Sequence, residues 1–217
     1  MIMRTPNVER TELISRLGKE FGKGEPIFMK EIMTVWNEYS APRIYQLLRV
    51  FCEDGTMKKF GPGVYCFPKV TFWGEPLSPT ADKVASKKYI QNGEQVFGYY
   101  TGLTLLNMVG LLNQVPFTRE IVTVKETTKV RYVKMGKARF RLRRAKTEIT
   151  RENAPLFQIL EIFSKIDRPL KKRETDNILA LADGVRIDPI LLEECANFFP
   201  KRALQNLKRS EIGYVLT

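Results

Sequence analysis

Between residues 40 and 68 the hydrophobic repeat changes once, from helical to strand-like, and that change constrains the fold more than any other feature of the chain. Ile44, Leu47, Leu48, Phe51 and Cys52 recur at i, i+3, i+4, i+7 and i+8, one stripe of an α-helix. Ser40 stands at the N-cap position, Pro42 lies inside the first turn where its missing N–H does no harm, and Gly55 is a stop. The runs MKKF and VYCF then flank Gly61-Pro62-Gly63, which predicts a two-stranded ribbon closed by turn residues. Upstream, Leu13, Ile14, Leu17 and Phe21 form one helical stripe that ends at Gly22 and Gly24, and Phe28, Ile32, Val35, Trp36 and Tyr39 form a second. Helix, helix, helix, ribbon is the order of a winged helix-turn-helix, expected here over residues 1–70.

The helix that opens at Ser40 buries its stripe and turns Ser40, Arg43, Tyr45, Gln46 and Arg49 away from it. A DNA major groove admits one helix. Arginine is a bidentate donor to guanine, glutamine pairs with adenine, and serine takes a phosphate, so these side chains suit a reading helix. At the ribbon, Gly61 and Gly63 allow a close backbone approach to a sugar-phosphate strand, with Lys58, Lys59 and Tyr65 beside them. The same helix flank also suits a solvated surface or a protein-docking face.

After residue 70 the stretch Gly74-Glu75-Pro76-Leu77-Ser78-Pro79 has linker composition, so 71–79 is read as a linker and 80–217 as a second domain. That domain is expected to be mixed α/β with antiparallel strands and a helical C-terminal tail, making the whole chain α+β. A short helix at TADKVASKKYI, a strand at EQVFGYY and an apolar helix at TGLTLLNMVGLL precede three strand-like runs, REIVTVKE, KVRYVKMG and ARFRLRRAK. Helical patterns at LFQILEIF, NILALAD, ILLEECANFF and RALQNLKR complete it.

Charge is distributed unevenly. The chain carries 36 Lys plus Arg against 24 Asp plus Glu, and residues 119–151 alone hold 12 basic and 3 acidic groups. In ARFRLRR, Arg139, Arg141 and Arg143 alternate with Phe140 and Leu142, so the period of two places the guanidiniums on one face and the apolar side chains in the core. Lys129, Arg131, Lys134, Arg144 and Lys146 extend this basic face, which suits phosphates or an acidic protein partner. Protection of an exposed sheet edge would use the same residues.

Catalytic signatures are few. The chain has no histidine, which removes Ser-His and Cys-His nucleophiles and mixed Cys/His zinc sites, and Cys52, Cys66 and Cys195 form no CxxC pair. The phosphate loop GxxxxGK[ST], the nucleophile elbow GxSxG and the metalloprotease motif HExxH are all absent, as is an Asp-x-Asp pair. Glu94, Glu120 and Glu126 near Lys125 would serve a nuclease only in a spacing that EIVTVK does not provide. No enzyme activity, cofactor or metal is expected. Sparse cysteine and the lack of an apolar run of about 18 residues point to a cytoplasmic chain with no membrane partner.

The segments GPGVYCFP and TGLTLLNMVGLLNQVPF, with the linker between them, resemble the AbiEi-like antitoxins of type IV toxin-antitoxin systems. The resemblance spans roughly residues 10–145 and is carried best by 61–68 and by Thr101-Gly102, Leu106-Asn107, Gly110-Leu111 and Gln114-Val115-Pro116. It implies a repressor that binds double-stranded DNA at operator repeats in its own promoter and antagonises a cognate nucleotidyltransferase toxin. It also implies that Gly61, Gly63 and Tyr65 shape the wing. Two other readings stay open: a non-enzymatic interaction module that docks an acidic partner, and a nucleic-acid-processing enzyme.

Overall fold

The computed structural model describes residues 7–185 and 187–216 and divides into two compact units, the division falling between Val84 and Ala85. The chain is mixed α+β.

In the first unit, α1 (Asn7–Glu20) is followed by a short strand β1 (Ile27–Phe28), then α2 (Met29–Val35) and α3 (Ala41–Glu53). The ribbon β2 (Lys58–Gly61) and β3 (Val64–Cys66) comes next. α3 begins where the sequence predicts, with Ser40 at the cap position and Pro42 in the first turn, although the Ser40 side chain makes no capping bond. Its stripe of Ile44, Leu47, Leu48 and Phe51 is fully enclosed, and each such side chain contributes roughly 1.5–3 kcal/mol of hydrophobic stabilisation. These residues pack with Leu13, Leu17, Ile27, Ile32 and Trp36 in one core. The Trp36 indole N–H donates to the Leu13 carbonyl at 3.2 Å, so the one polar atom of that large ring is satisfied inside the core.

The sheet of this unit has three strands in the order β1-β3-β2, all antiparallel. The sequence shows only two of them, because two residues of β1 are too few for a period to register. The register of β2 against β3 shifts between Lys59 and Gly61, a bulge that bends the ribbon near its tip. Gly63 closes that tip with φ 67° and its carbonyl accepts from the Met29 N–H at 2.8 Å, tying the ribbon to the start of α2.

The stretch read as a linker is folded. β4 (Lys69–Val70) and β5 (Pro76–Leu77) form a hairpin whose turn is closed by Gly74 N–H to the Thr71 carbonyl, 3.0 Å, and by Glu75 N–H to Thr71 Oγ1, 3.0 Å. Its tip lifts Phe72 and Trp73 into solvent, 93% and 84% exposed, with their rings edge to face at 5.3 Å. Proline and glycine there signal a tight turn rather than a flexible spacer.

The helix α4 (Ala81–Tyr89) crosses the division between the units. A two-residue-strand hairpin, β6 (Gln91–Asn92) and β7 (Gln95–Val96), leads to β8 (Gly98–Tyr100), α5 (Gly102–Met108), β9 (Thr118–Thr123), β10 (Val130–Met135) and β11 (Ala138–Arg144). The main sheet runs β10-β11-β9-β8. β10 and β11 form a tight antiparallel hairpin and β8 pairs antiparallel with β9, as expected, while β11 lies parallel to β9, so the sheet is mixed. The chain leaves β9, passes outward to β10 at the edge, and returns through β11 into the place between them.

The C-terminal helical segments form as expected and take part in the second core. α6 (Asn153–Lys165) is enclosed, with Leu156, Ile159, Leu160 and Ile162 at zero exposure, and it packs with Tyr99 and Val122 of the sheet. Around it stand α7 (Lys172–Leu179) with its 3-10 continuation Ala180–Ala182, α8 (Pro189–Ala196), α9 (Lys201–Lys208) and α10 (Glu211–Leu216). Among the described residues no helix is long and apolar enough to cross a membrane.

Candidate nucleic-acid interface

α3 presents the polar flank that its period predicts. Ser40, Tyr45, Gln46 and Arg49 are exposed and Arg43 is half-buried. Arg49 is held by Glu53 one turn on, Nε to Oε1 at 2.8 Å, an exposed pair that solvent screens. Exchanging that carboxylate for a phosphate therefore costs little.

The ribbon bears Lys58 and Lys59 on its outer strand, both exposed, and Pro62 at its tip. The Lys58 ammonium donates to the Pro76 carbonyl at 2.9 Å, which fixes its position against the next hairpin, while Lys59 carries the charge beside the tip. Tyr65 does not join them. It pairs with Ile27 across β1 and β3 and is 5% exposed within the first core, so the structure corrects its assignment to the interface. Gly61 and Gly63 do sit in the turn, and at Gly63 the positive φ excludes most other residues.

The basic strand behaves differently from a flat cationic face. Phe140 and Leu142 are fully buried, as alternation requires, and Arg139, Arg141 and Arg143 share the opposite face. There Glu120 lies directly beside Arg141 in the parallel register and accepts from its Nη1 at 2.9 Å. Arg139 stacks over the exposed Phe117 ring, 5.3 Å from its centroid. Arg143 is half-buried and its Nη2 stands 3.4 Å from Thr101 Oγ1, close to α6. Arg131 is drawn to the buried Glu126, Nε to Oε2 at 2.7 Å. Lys129, Lys134, Arg144 and Lys146 remain exposed. The positive face is thus broken by an acid, an aromatic ring and a packed helix, none of which the strand's own sequence reveals.

The carboxylates considered for a nuclease are separated by their partners. Glu94 holds Arg151 at 3.0 Å, Glu120 holds Arg141, and Glu126 holds Arg131. Burial opposes the charge on Glu126, but bonds from Thr128 and Arg131 outweigh it and keep the carboxyl below the usual range. Glu161 on α6 is the acid that sequence reasoning missed. Burial again works against its charge, and the Lys165 ammonium, the Thr101 hydroxyl and the Gly102 N–H together hold it ionised. Those donors are 4, 60 and 59 residues away, too far in the main to leave a local signal. Among the described residues no group of three or more His, Cys, Asp or Glu side chains is placed to hold a metal. The three cysteines are free, and burial pushes each thiol up, Cys195 to about 11.

Compared with models of known protein families and with curated proteins, the chain has no match.

Proposed function

We propose that this chain is a duplex-DNA-binding transcriptional autorepressor that serves as the antitoxin of a type IV toxin-antitoxin pair. The observation that carries the DNA half is the order of elements in the first unit. Helix α1, strand β1 and helices α2 and α3 followed by the ribbon, with strand order β1-β3-β2, match the order expected of a winged helix-turn-helix and support that reading. In such a module α3 enters the major groove with Arg43, Gln46 and Arg49 toward the base edges, and Ser40 at its start meets a phosphate. Lys59 and the Gly61–Gly63 turn lie along the sugar-phosphate strand. The antitoxin half, with a nucleotidyltransferase toxin as partner, rests on the sequence resemblance at 61–68 and 101–117. Cytoplasmic residence follows from that role.

The test is fluorescence anisotropy of the full chain on duplex DNA from upstream of its own coding sequence, across a salt series. Binding should weaken steeply with salt. Gln46→Ala should cost about 1–3 kcal/mol on the operator and little on unrelated duplex, whereas Lys59→Ala should weaken both alike and reduce the salt slope by about one. Absence of salt-sensitive duplex binding would favour the reading in which the same helix flank docks a protein.

A further inference from the structure

A cavity of about 360 Å³ opens in the second unit between the end of β11 and α6. Lys129, Arg143, Arg144 and Lys146 stand on its wall. Among the described residues none of these four takes part in an ion pair. Arg143 and Arg144 make only marginal hydrogen bonds, each at 3.4 Å, to Thr101 Oγ1 and the Thr127 carbonyl. Arg141, also on the wall and held through Nη1 by Glu120, has a buried Nε that finds no hydrogen-bond partner among the described residues. The one carboxylate on the wall, Glu161, is already neutralised by Lys165 at 2.9 Å. Four cations around one recess repel each other, and an anion bound among them relieves that repulsion.

The other wall is aromatic. Tyr99 and Phe157 stack in parallel at 5.7 Å with an interplanar angle of 3°, and Phe198 meets Phe157 edge-on at 5.7 Å. Phe198 is 40% exposed, so a ring face remains open at the rim. Phe199 completes that side. A flat ring beside a guanidinium and a phenyl face is held by stacking and cation-π attraction, and the volume suits a small organic molecule.

We infer that this cavity binds a nucleoside monophosphate, its phosphate beside Arg143 and Lys146 at the end of β11 and its base against Phe198. Inorganic phosphate lacks the ring and a nucleoside lacks the charge, so each uses half of the site. The site lies in the second unit and stands or falls independently of duplex binding by the first.

Titration calorimetry of the full chain with the four common ribonucleoside monophosphates, with adenosine and with inorganic phosphate tests this. At least one mononucleotide should bind about tenfold or more tighter than adenosine and than phosphate. Arg143→Gln and, separately, the exposed Lys146→Gln should each weaken it about tenfold, and Phe198→Ala should erase the preference over inorganic phosphate. Circular dichroism checks folding, and Lys146→Gln keeps the test decisive if Arg143→Gln does not fold. No heat with any mononucleotide, phosphate binding as tightly as a mononucleotide, unchanged affinity in the folded variants, or binding of 5′-phosphorylated oligonucleotides alone would each overturn the assignment.

Discussion

Tyr65 shows how a single side chain is misread when only its neighbours in sequence are weighed. Two residues after Gly63 and three from the prolines on either side, it resembles a surface residue, yet it faces Ile27 on a strand that its own segment does not announce. Its phenol ring belongs to the first core, so Tyr65→Ala should lower the stability of that unit by about 3–5 kcal/mol in a urea titration followed by Trp36 fluorescence. A mere phosphate contact would leave stability unchanged. Gly102 is the complementary case. The sequence places it in an apolar helical run and in the segment of resemblance, but gives no sign that it has φ 62° or that an added Cβ would overlap Glu120 Oε1. Gly102→Ala should therefore destabilise the second unit by about 1–3 kcal/mol through backbone strain alone, and more if the Glu120–Arg141 pair is displaced, as measured by chemical denaturation. Individual arginines were legible as exposed or alternating, whereas their partners were not, because those partners come from other strands and helices.

At the scale of elements, the stripes of α1, α2, α3 and α6 were readable because burial on one face repeats every three or four residues. β1 was hidden by its length, and the β4–β5 hairpin by a composition that fits linkers and turns equally. The start of α7 carries a pH dependence of its own. Arg168 grips Glu174 through two bonds of 2.8 and 2.9 Å, and the Lys171 N–H adds a third at 2.8 Å. The Arg168 guanidinium is the main reason that the carboxyl falls to about 2, below the roughly 4.3 of an unfolded glutamate. The folded state thus binds this proton less readily than the unfolded state. The stabilisation is complete above about pH 4.3 and disappears as pH falls toward 2. Denaturation of the wild type and Glu174→Gln between pH 2 and 6 should show a stability difference that shrinks over that interval.

For the molecule as a whole, two hydrophobic cores form without sharing a buried residue, one around Phe51 and Trp36, the other around α6. Both tryptophans, Trp36 and Trp73, lie in the first unit. Leu160→Ala, at a fully enclosed position of α6, should cost about 2–5 kcal/mol and move the midpoint seen by far-ultraviolet circular dichroism while leaving the tryptophan transition in place. Coincident shifts of both signals would mean that the units unfold together. The turn pattern suggested a division at 71–79, whereas the two units divide between Val84 and Ala85, and the parallel β9–β11 pair was not legible, since nothing local distinguishes a strand that returns beside its predecessor from one that skips a place.

That skipped place has a consequence during synthesis. β9 leaves the ribosome ahead of β11, and until β11 follows it out one long edge of β9 stays unoccupied. A nascent chain stalled there offers its open edge to any extended peptide nearby, and the emergence of residues 138–144 is what withdraws the offer.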